Sequence, residues 1–394
     1  MRHFWLILTL IYVFCAILRL PSLTFPHTET DEQIFWHLAL KIRSSGEYNL
    51  QGTEILTRVS PHIYDRPLFL HPPLYAVTLT PFTAWGSLKS AVAVSWLGHF
   101  LCILAVALIG RQLCSMTQSQ LPEILLWLPV LGVAMDPFLI FLSGRLWADS
   151  LLAGLCAMSM ALFFCARQSK RRTLCLVAGG VLFGLAALTK LPALVLTPVA
   201  IWLIVKPETG RRAIIRDLCL GGVPALLLVL PWFVTFYRTF GVLIPDWTRP
   251  DEWTLAQYPF VRAAVERSPL YYLVKLAAIQ PLCVLCLGAY LFNRDLWKSA
   301  VALFPVVWFL LFLVVLSVLG MRGQGFQMRF LGPMFPAVYL MLYMILVRMR
   351  NEQPVALLLV VFCVIYGGIT GALIISEDNE IMSILEMGGA LTVK

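Results

Sequence analysis

Apolar runs of membrane-crossing length recur from one end of the chain to the other, and nothing else in the sequence restricts the fold as strongly. They lie near residues 4–20, 88–113, 122–142, 146–166, 174–189, 191–205, 217–238, 270–292, 299–319, 330–347 and 354–375. A hydrocarbon core is crossed by about 20 apolar residues in a helix, which satisfies its own backbone polar groups without water. The runs predict an all-α polytopic membrane bundle of about eleven crossings, forming one domain over residues 1–394. Residues 72–86 are apolar but short and interrupted by Pro81, which suits an interfacial segment or an extension of the next span. The first run resembles a signal peptide. It has no small-residue cleavage pattern and many spans follow, so an uncleaved anchor is expected.

Charge orients this bundle. The formal charge is +9, yet only 13% of residues are charged, and the basic ones cluster between apolar runs. They fall at Arg111, from Arg167 to Arg172, from Lys206 to Arg216, at Arg294 and Lys298, and at Arg348 and Arg350. The positive-inside rule puts these connections, and the N-terminus, in the cytoplasm. The external side then receives residues 21–87, short turns at Arg145 and Lys190, residues 240–268, residues 320–329 and an acidic tail over 376–394. A nucleic-acid-binding chain would carry its positive charge as a stripe on a soluble face, so no nucleic-acid partner is expected. The ten cysteines lie in or beside apolar runs, Cys283 and Cys286 included, and read as small buried hydrophobes rather than a disulfide or zinc framework.

The long first external loop concentrates the polar residues. Thr30 and Gln33 fit a capping box, Ile34, Phe35, Leu38 and Ile42 recur at helical spacing, and Gly46 fits a stop. An amphipathic helix lying on the bilayer, apolar side down, is expected there. Asp31 and Glu32 occupy its first turn. Acids there complement the helix dipole, worth about 0.3–1 kcal/mol each; equally, a carboxylate steadied by those amides can accept a proton from a hydroxyl. At the loop's end Arg66 precedes His71-Pro72-Pro73-Leu74. The proline pair fixes the angle at which the chain enters the membrane, while Arg66 and His71 can meet a lipid phosphate.

Other charges stand at the external ends of spans. Asp149 lies four residues after Arg145, a spacing that allows an ion pair on one helical face; an acid so near an apolar span also suits a wet cavity. Lys190 and Arg329 can snorkel to headgroups or converge on a phosphate. Asp246, Asp251 and Glu252 read first as solvated loop acids, with binding of a metal or of sugar hydroxyls as the other reading. His27, His37, His62 and His71 have no regular metal-ligand spacing. No metal ligand is assigned, and a divalent cation stays open.

Asp31-Glu32 after the first span, His71-Pro72-Pro73-Leu74, the Arg145-to-Asp149 stretch and Gly184-to-Lys190 follow one another in an order that resembles a family. It is that of the polyprenyl-phosphate-sugar-dependent glycosyltransferases of GT-C architecture, in particular the protein O-mannosyltransferase and aminoarabinose lipid A transferase group. The stretch from Arg329 to Pro336 resembles a further region of that group, Arg-(Phe/Tyr)-x-x-Pro-x-x-Pro. The resemblance implies an isoprenoid-phosphate-linked sugar donor and a lipid, glycan or protein acceptor bearing a hydroxyl. It implies inversion at the anomeric carbon, with Asp31 as general base. Lys190, Arg329 and His71 or Arg66 would attend the phosphate; Glu32 and Asp149 would orient sugar, acceptor or a cation. His71 stands where the group often has Lys, and the chain ends soon after its last span, so acceptor recognition would fall to the two external loops.

A bacterial inner membrane is the setting this implies, with the active site on its outer side. The main rival is a transporter or flippase for a lipid-linked sugar, which would show broken helices in symmetric halves and charges near the bilayer midplane. A non-catalytic partner in an envelope complex is a third reading. It gives no reason for acid and cations to coexist.

Overall fold

The computed structural model describes residues 3–24, 27, 30–117, 127–206, 208–243, 271–321, 328–348, 361, 365 and 366. Nearly all of the expected span at 354–375, the acidic tail, and nearly all of the second external loop with Asp246, Asp251 and Glu252 lie outside the described residues. Among the described residues every regular element is helical. Seven helices are long and apolar enough to cross a membrane: Phe4–Thr24, Leu88–Met116, Ala148–Ala166, Arg172–Thr189, Arg211–Phe240, Ala300–Leu319 and Met328–Val347. Each coincides with an apolar run of the sequence.

Three other runs, as far as they are described, fold as interrupted or shorter helices, and each has proline at its break. Residues 191–205 form a 3-10 turn, Leu191–Leu196, followed by helix Thr197–Ile204. Residues 270–292 divide into Tyr271–Ile279 and Pro281–Phe292, and the run ending at 142 divides into Leu128–Ala134 and Pro137–Ser143. Proline suits the first turn of a helix, where its missing N–H has no partner to lose, and removes a hydrogen bond from one that continues through it, as Arg211–Phe240 does at Pro224 and Pro231. Asp136 reinforces its break by capping the new helix, accepting from the Leu139 amide at 2.8 Å.

Helix Ala148–Ala166 is the axis of the bundle and is buried along nearly its whole length. Helices Ala93–Thr117 and Arg172–Thr189 flank it, and Arg211–Phe240 packs on the far side of the latter. In lipid, close approach comes from small residues rather than from expelled water. Gly98 and Gly154 make the tightest crossing. A Cβ on Gly98 would meet the Ser150 carbonyl oxygen at 2.2 Å, and one on Gly154 would meet the Gly98 oxygen at 2.1 Å. Beside this crossing Ser150 donates to the Ser95 carbonyl at 2.6 Å, and Tyr75 shares a 2.9 Å hydrogen bond with the Ser95 hydroxyl. The crossing therefore fixes the start of helix Ala148–Ala166, where Asp149 stands.

The first-loop helix runs Thr30–Ser45 and ends where expected, at Gly46 with φ +74°. Its start and seating differ from the sequence reading. Thr30 is already helical rather than a cap, and Gln33 donates to the His27 carbonyl at 2.6 Å. Ile34, Phe35, Leu38 and Ala39 are buried against protein, with the Phe35 ring edge-on to Tyr75 at 5.0 Å. Helix Leu74–Thr83 receives this face. The apolar stripe lies on the bundle, not on lipid, because the 72–86 segment supplies an apolar surface of its own.

Candidate active site

Four segments distant in sequence deliver charged side chains to one cleft. The first-loop helix brings Asp31 in its first turn. Helix Ala148–Ala166 brings Asp149 in its own first turn. Lys190 ends helix Arg172–Thr189 in an extended conformation, and Arg329 stands at the start of the 3-10 segment Met328–Met334. Arg329 donates to Asp31 Oδ2, and its Nε lies 3.8 Å from Asp149 Oδ2. Lys190 Nζ donates to Asp149 Oδ1 at 2.8 Å. Aromatic faces back the cations: the Arg329 guanidinium lies 4.6 Å from the Trp147 ring centre, and Lys190 Nζ 4.2 Å from that of Phe330.

The three carboxylates differ in access. The Asp31 side chain is 30% exposed, against 0% for Glu32 and 2% for Asp149. Partial burial pushes the Asp31 carboxyl up. Arg329, with Lys190 and His71, outweighs this and holds it below the usual carboxylate range. His71 is pushed down to about 3 by burial and by Lys190 and Arg329, with Asp31 opposing. The neutral imidazole is thereby favoured, and its ring lies between those of Phe35 and Phe69, at 6.5 and 5.5 Å.

Glu32 faces away from the opening. Its Oε1 accepts from the Leu146 amide at 3.0 Å and meets His27 Nδ1 at 2.8 Å, while Oε2 lies 3.7 Å from Arg145. His27 reaches it from a left-handed conformation, φ +47°. The expected ion pair between Arg145 and Asp149 does not form, because the helix begins at Ala148 and leaves Arg145 outside it. Arg145 pairs with Glu32 and Asp149 with Lys190. Arg66 is not brought to the cleft. It is exposed and folds back to donate to the His62 carbonyl at 2.6 and 3.0 Å.

Sequence reasoning did not assign His27, Trp147, Phe330 or the Glu32–Arg145 pair to the site. Phe330 adjoins Arg329 and Trp147 stands two residues before Asp149, and that proximity was the available signal. Among the described residues no three His, Cys, Asp or Glu side chains converge so as to hold a metal ion. Among the same residues the basic side chains of the cleft are Arg145, Lys190 and Arg329.

Comparison with known proteins gives structural likeness without sequence likeness. No protein-family model matches the chain, and no curated protein sequence matches it. Solved structures do. ArnT from Cupriavidus metallidurans bound to undecaprenyl phosphate superposes with a TM-score of 0.60 at 17% identity, over 92% of this chain and 64% of that one. Its apo state gives 0.60 at 18% identity, over 91% and 63%. The apo oligosaccharyltransferase of Archaeoglobus fulgidus gives 0.60 at 13%, over 96% of this chain and 57% of that one. This chain has the GT-C fold. It spans under two thirds of the length of each of these relatives in fold. With its seven apolar helices, it is an integral membrane protein.

Proposed function

We propose that this GT-C protein is a glycosyltransferase that moves a sugar from an isoprenoid-phosphate-linked donor to a hydroxyl acceptor. The observation that carries this is the placement of Asp31. Among the described residues it is the one carboxylate of the cleft open to solvent, and it stands within reach of two cations, Lys190 and Arg329, supplied by distant segments. An acceptor hydroxyl entering from the solvent side gives its proton to Asp31 as its oxygen bonds to the anomeric carbon. The bond from that carbon to the phosphate oxygen breaks on the opposite face, which inverts the configuration. The departing phosphate is already a stable anion. It needs charge stabilisation more than a proton, and Arg329 and Lys190 supply it. Glu32, which also meets His27, pairs with Arg145, and Asp149 holds Lys190. ArnT was solved with undecaprenyl phosphate, a ligand of the class proposed here.

The external face is part of the proposal. Helix Arg172–Thr189 has Arg172 at one end, bonded to Asp217 at 2.7 and 2.9 Å amid the basic clusters of 167–172 and 206–216, and Lys190 at the other. The cleft lies at the opposite end of that helix from the side that the positive-inside rule assigns to the cytoplasm.

The transporter reading predicts broken helices, and two occur, at Asp136-Pro137 and Gln280-Pro281. Their breaks are stitched to each other: Gln280 Nε2 and the Tyr339 hydroxyl both donate to Asp136 Oδ2 at 2.6 Å, with all three residues buried. That is a closed joint rather than the lining of a path. The deciding experiment is sugar transfer by the purified protein in nanodiscs, using polyprenyl-phosphate sugars and mass spectrometry of the products. The wild type is expected to form product and Asp31→Asn to form almost none while still binding a polyprenyl phosphate. Undiminished transfer by Asp31→Asn would overturn the assignment.

A further inference from the structure

Among the described residues the charges of the cleft cancel. Arg145, Lys190 and Arg329 stand against Asp31, Glu32 and Asp149, and each of these cations already has a carboxylate. An incoming phosphate therefore has to displace one of these pairings. Arg145–Glu32 and Lys190–Asp149 are sealed, with carboxylates 0% and 2% exposed. Only the Arg329–Asp31 pair opens to solvent on its acidic side. Arg329 also has somewhere to stay while it exchanges partners, since Trp147 lies under its guanidinium and Asp149 beside its Nε.

We infer that Arg329 is a donor-operated latch on Asp31: it occupies the carboxylate until a lipid phosphodiester draws it away, so donor binding precedes and switches on the base. This inference rests on the glycosyltransferase reading of the cleft. The charged and titratable groups around Asp31 are Glu32 on its own helix, His71 from the segment before Leu74, Arg145 and Asp149 from the segment leading into helix Ala148–Ala166, Lys190 and Arg329. A carboxylate paired to guanidinium is a weak base and its oxygen is not available to an acceptor. Once Arg329 turns to the phosphate, the same carboxylate is left partly buried beside a new negative charge. Both changes raise its proton affinity and suit it to take the acceptor's proton while the C–O bond to phosphate breaks. An acceptor arriving first finds the base engaged, so unproductive acceptor binding is suppressed.

The test is equilibrium binding of a polyprenyl methyl phosphodiester to the full-length protein in nanodiscs of neutral lipid. This probe bears one negative charge that does not titrate in the carboxylate range. Asp31→Asn, which removes Arg329's competing partner, is expected to bind the diester about tenfold more tightly than the wild type, the scale of one charge-assisted hydrogen bond. The wild type supplies a second measurement that needs no variant. Its affinity should strengthen as pH falls through the carboxylate range, because the complex holds a proton that the free protein does not; in Asp31→Asn this slope should shrink to what His71 contributes. Equal affinities for the two proteins, with no difference in slope, would overturn the latch and leave the glycosyltransferase reading standing. Failure of both proteins to bind the diester would remove the donor class itself.

Discussion

Two polar clusters sit inside this apolar bundle, and they are built on opposite plans. At the Asp136 joint, a fully buried carboxylate is surrounded by the neutral donors Gln280, Tyr339 and the Leu139 amide. At the cleft, carboxylates meet Arg and Lys, and one acid keeps an open side. The first plan joins three elements and leaves nothing for a ligand. The second holds opposite charges close together where an anion can rearrange them. Partner type and one-sided access, more than the presence of buried acids, separate a joint from a reaction site.

The sharpest way to break this comparison is to neutralise one acid in each cluster. Asp31→Asn should cut sugar transfer by about 10²–10⁴-fold, the usual worth of a positioned base, with little change in thermal stability. Asp136→Asn should do the reverse, lowering the melting temperature in detergent while transfer per folded molecule stays within a few-fold. Similar activity losses in both would mean that the joint and the cleft are not functionally distinct.

Next in size is the sealed pair. Asp149→Asn leaves Lys190 buried without its carboxylate, and removing one partner of such a pair typically costs about 3–5 kcal/mol. Asp149→Asn with Lys190→Met should recover most of the stability and none of the transfer. A single variant as stable as the wild type would show that Lys190 finds another partner or reaches water.

Much of this was legible in the sequence, and the residues show where legibility stops. Hydropathy marks the spans because it is a property of consecutive residues, and all seven long helices coincide with apolar runs. The convergence of Asp31, Asp149, Lys190 and Arg329 was expected from motif order alone. Which cation meets which acid was not. Lys190 and Asp149 are 41 residues apart and Arg329 and Asp31 298, and no local period encodes such pairings. The local pattern instead suggested Arg145 with Asp149, which fails because the helix starts one turn too late. The first-loop helix was found by its spacing, but a spacing cannot say whether its apolar stripe meets lipid or another helix.

A subtler effect concerns His71. Its folded-state value near 3 lies below the ordinary 6.5, so at intermediate pH the unfolded chain binds a proton that the folded protein does not. Its contribution to stability is complete above about 6.5 and drains away as pH falls toward about 3. The melting temperature of the wild type should therefore fall relative to that of His71→Gln as pH drops from about 6.5 toward about 3. A difference that stays constant with pH would mean that His71 takes up a proton as readily in the folded protein as in the unfolded chain.

The smallest expected effect is at Arg66, and it tests the boundary of the site. The same guanidinium chemistry that binds at Arg329 is turned at Arg66 onto the carbonyl of its own loop, in the open. Exposed substitutions of this kind usually stay within about 0.5 kcal/mol. Arg66→Ala should leave stability unchanged and transfer within about twofold at saturating donor, since a solvated hydrogen bond is exchanged for one to water. A large rise in the donor concentration needed for half-maximal rate, with the maximal rate kept, would instead mean that Arg66 swings in when the lipid binds. The phosphate site would then extend from the cleft onto the first loop.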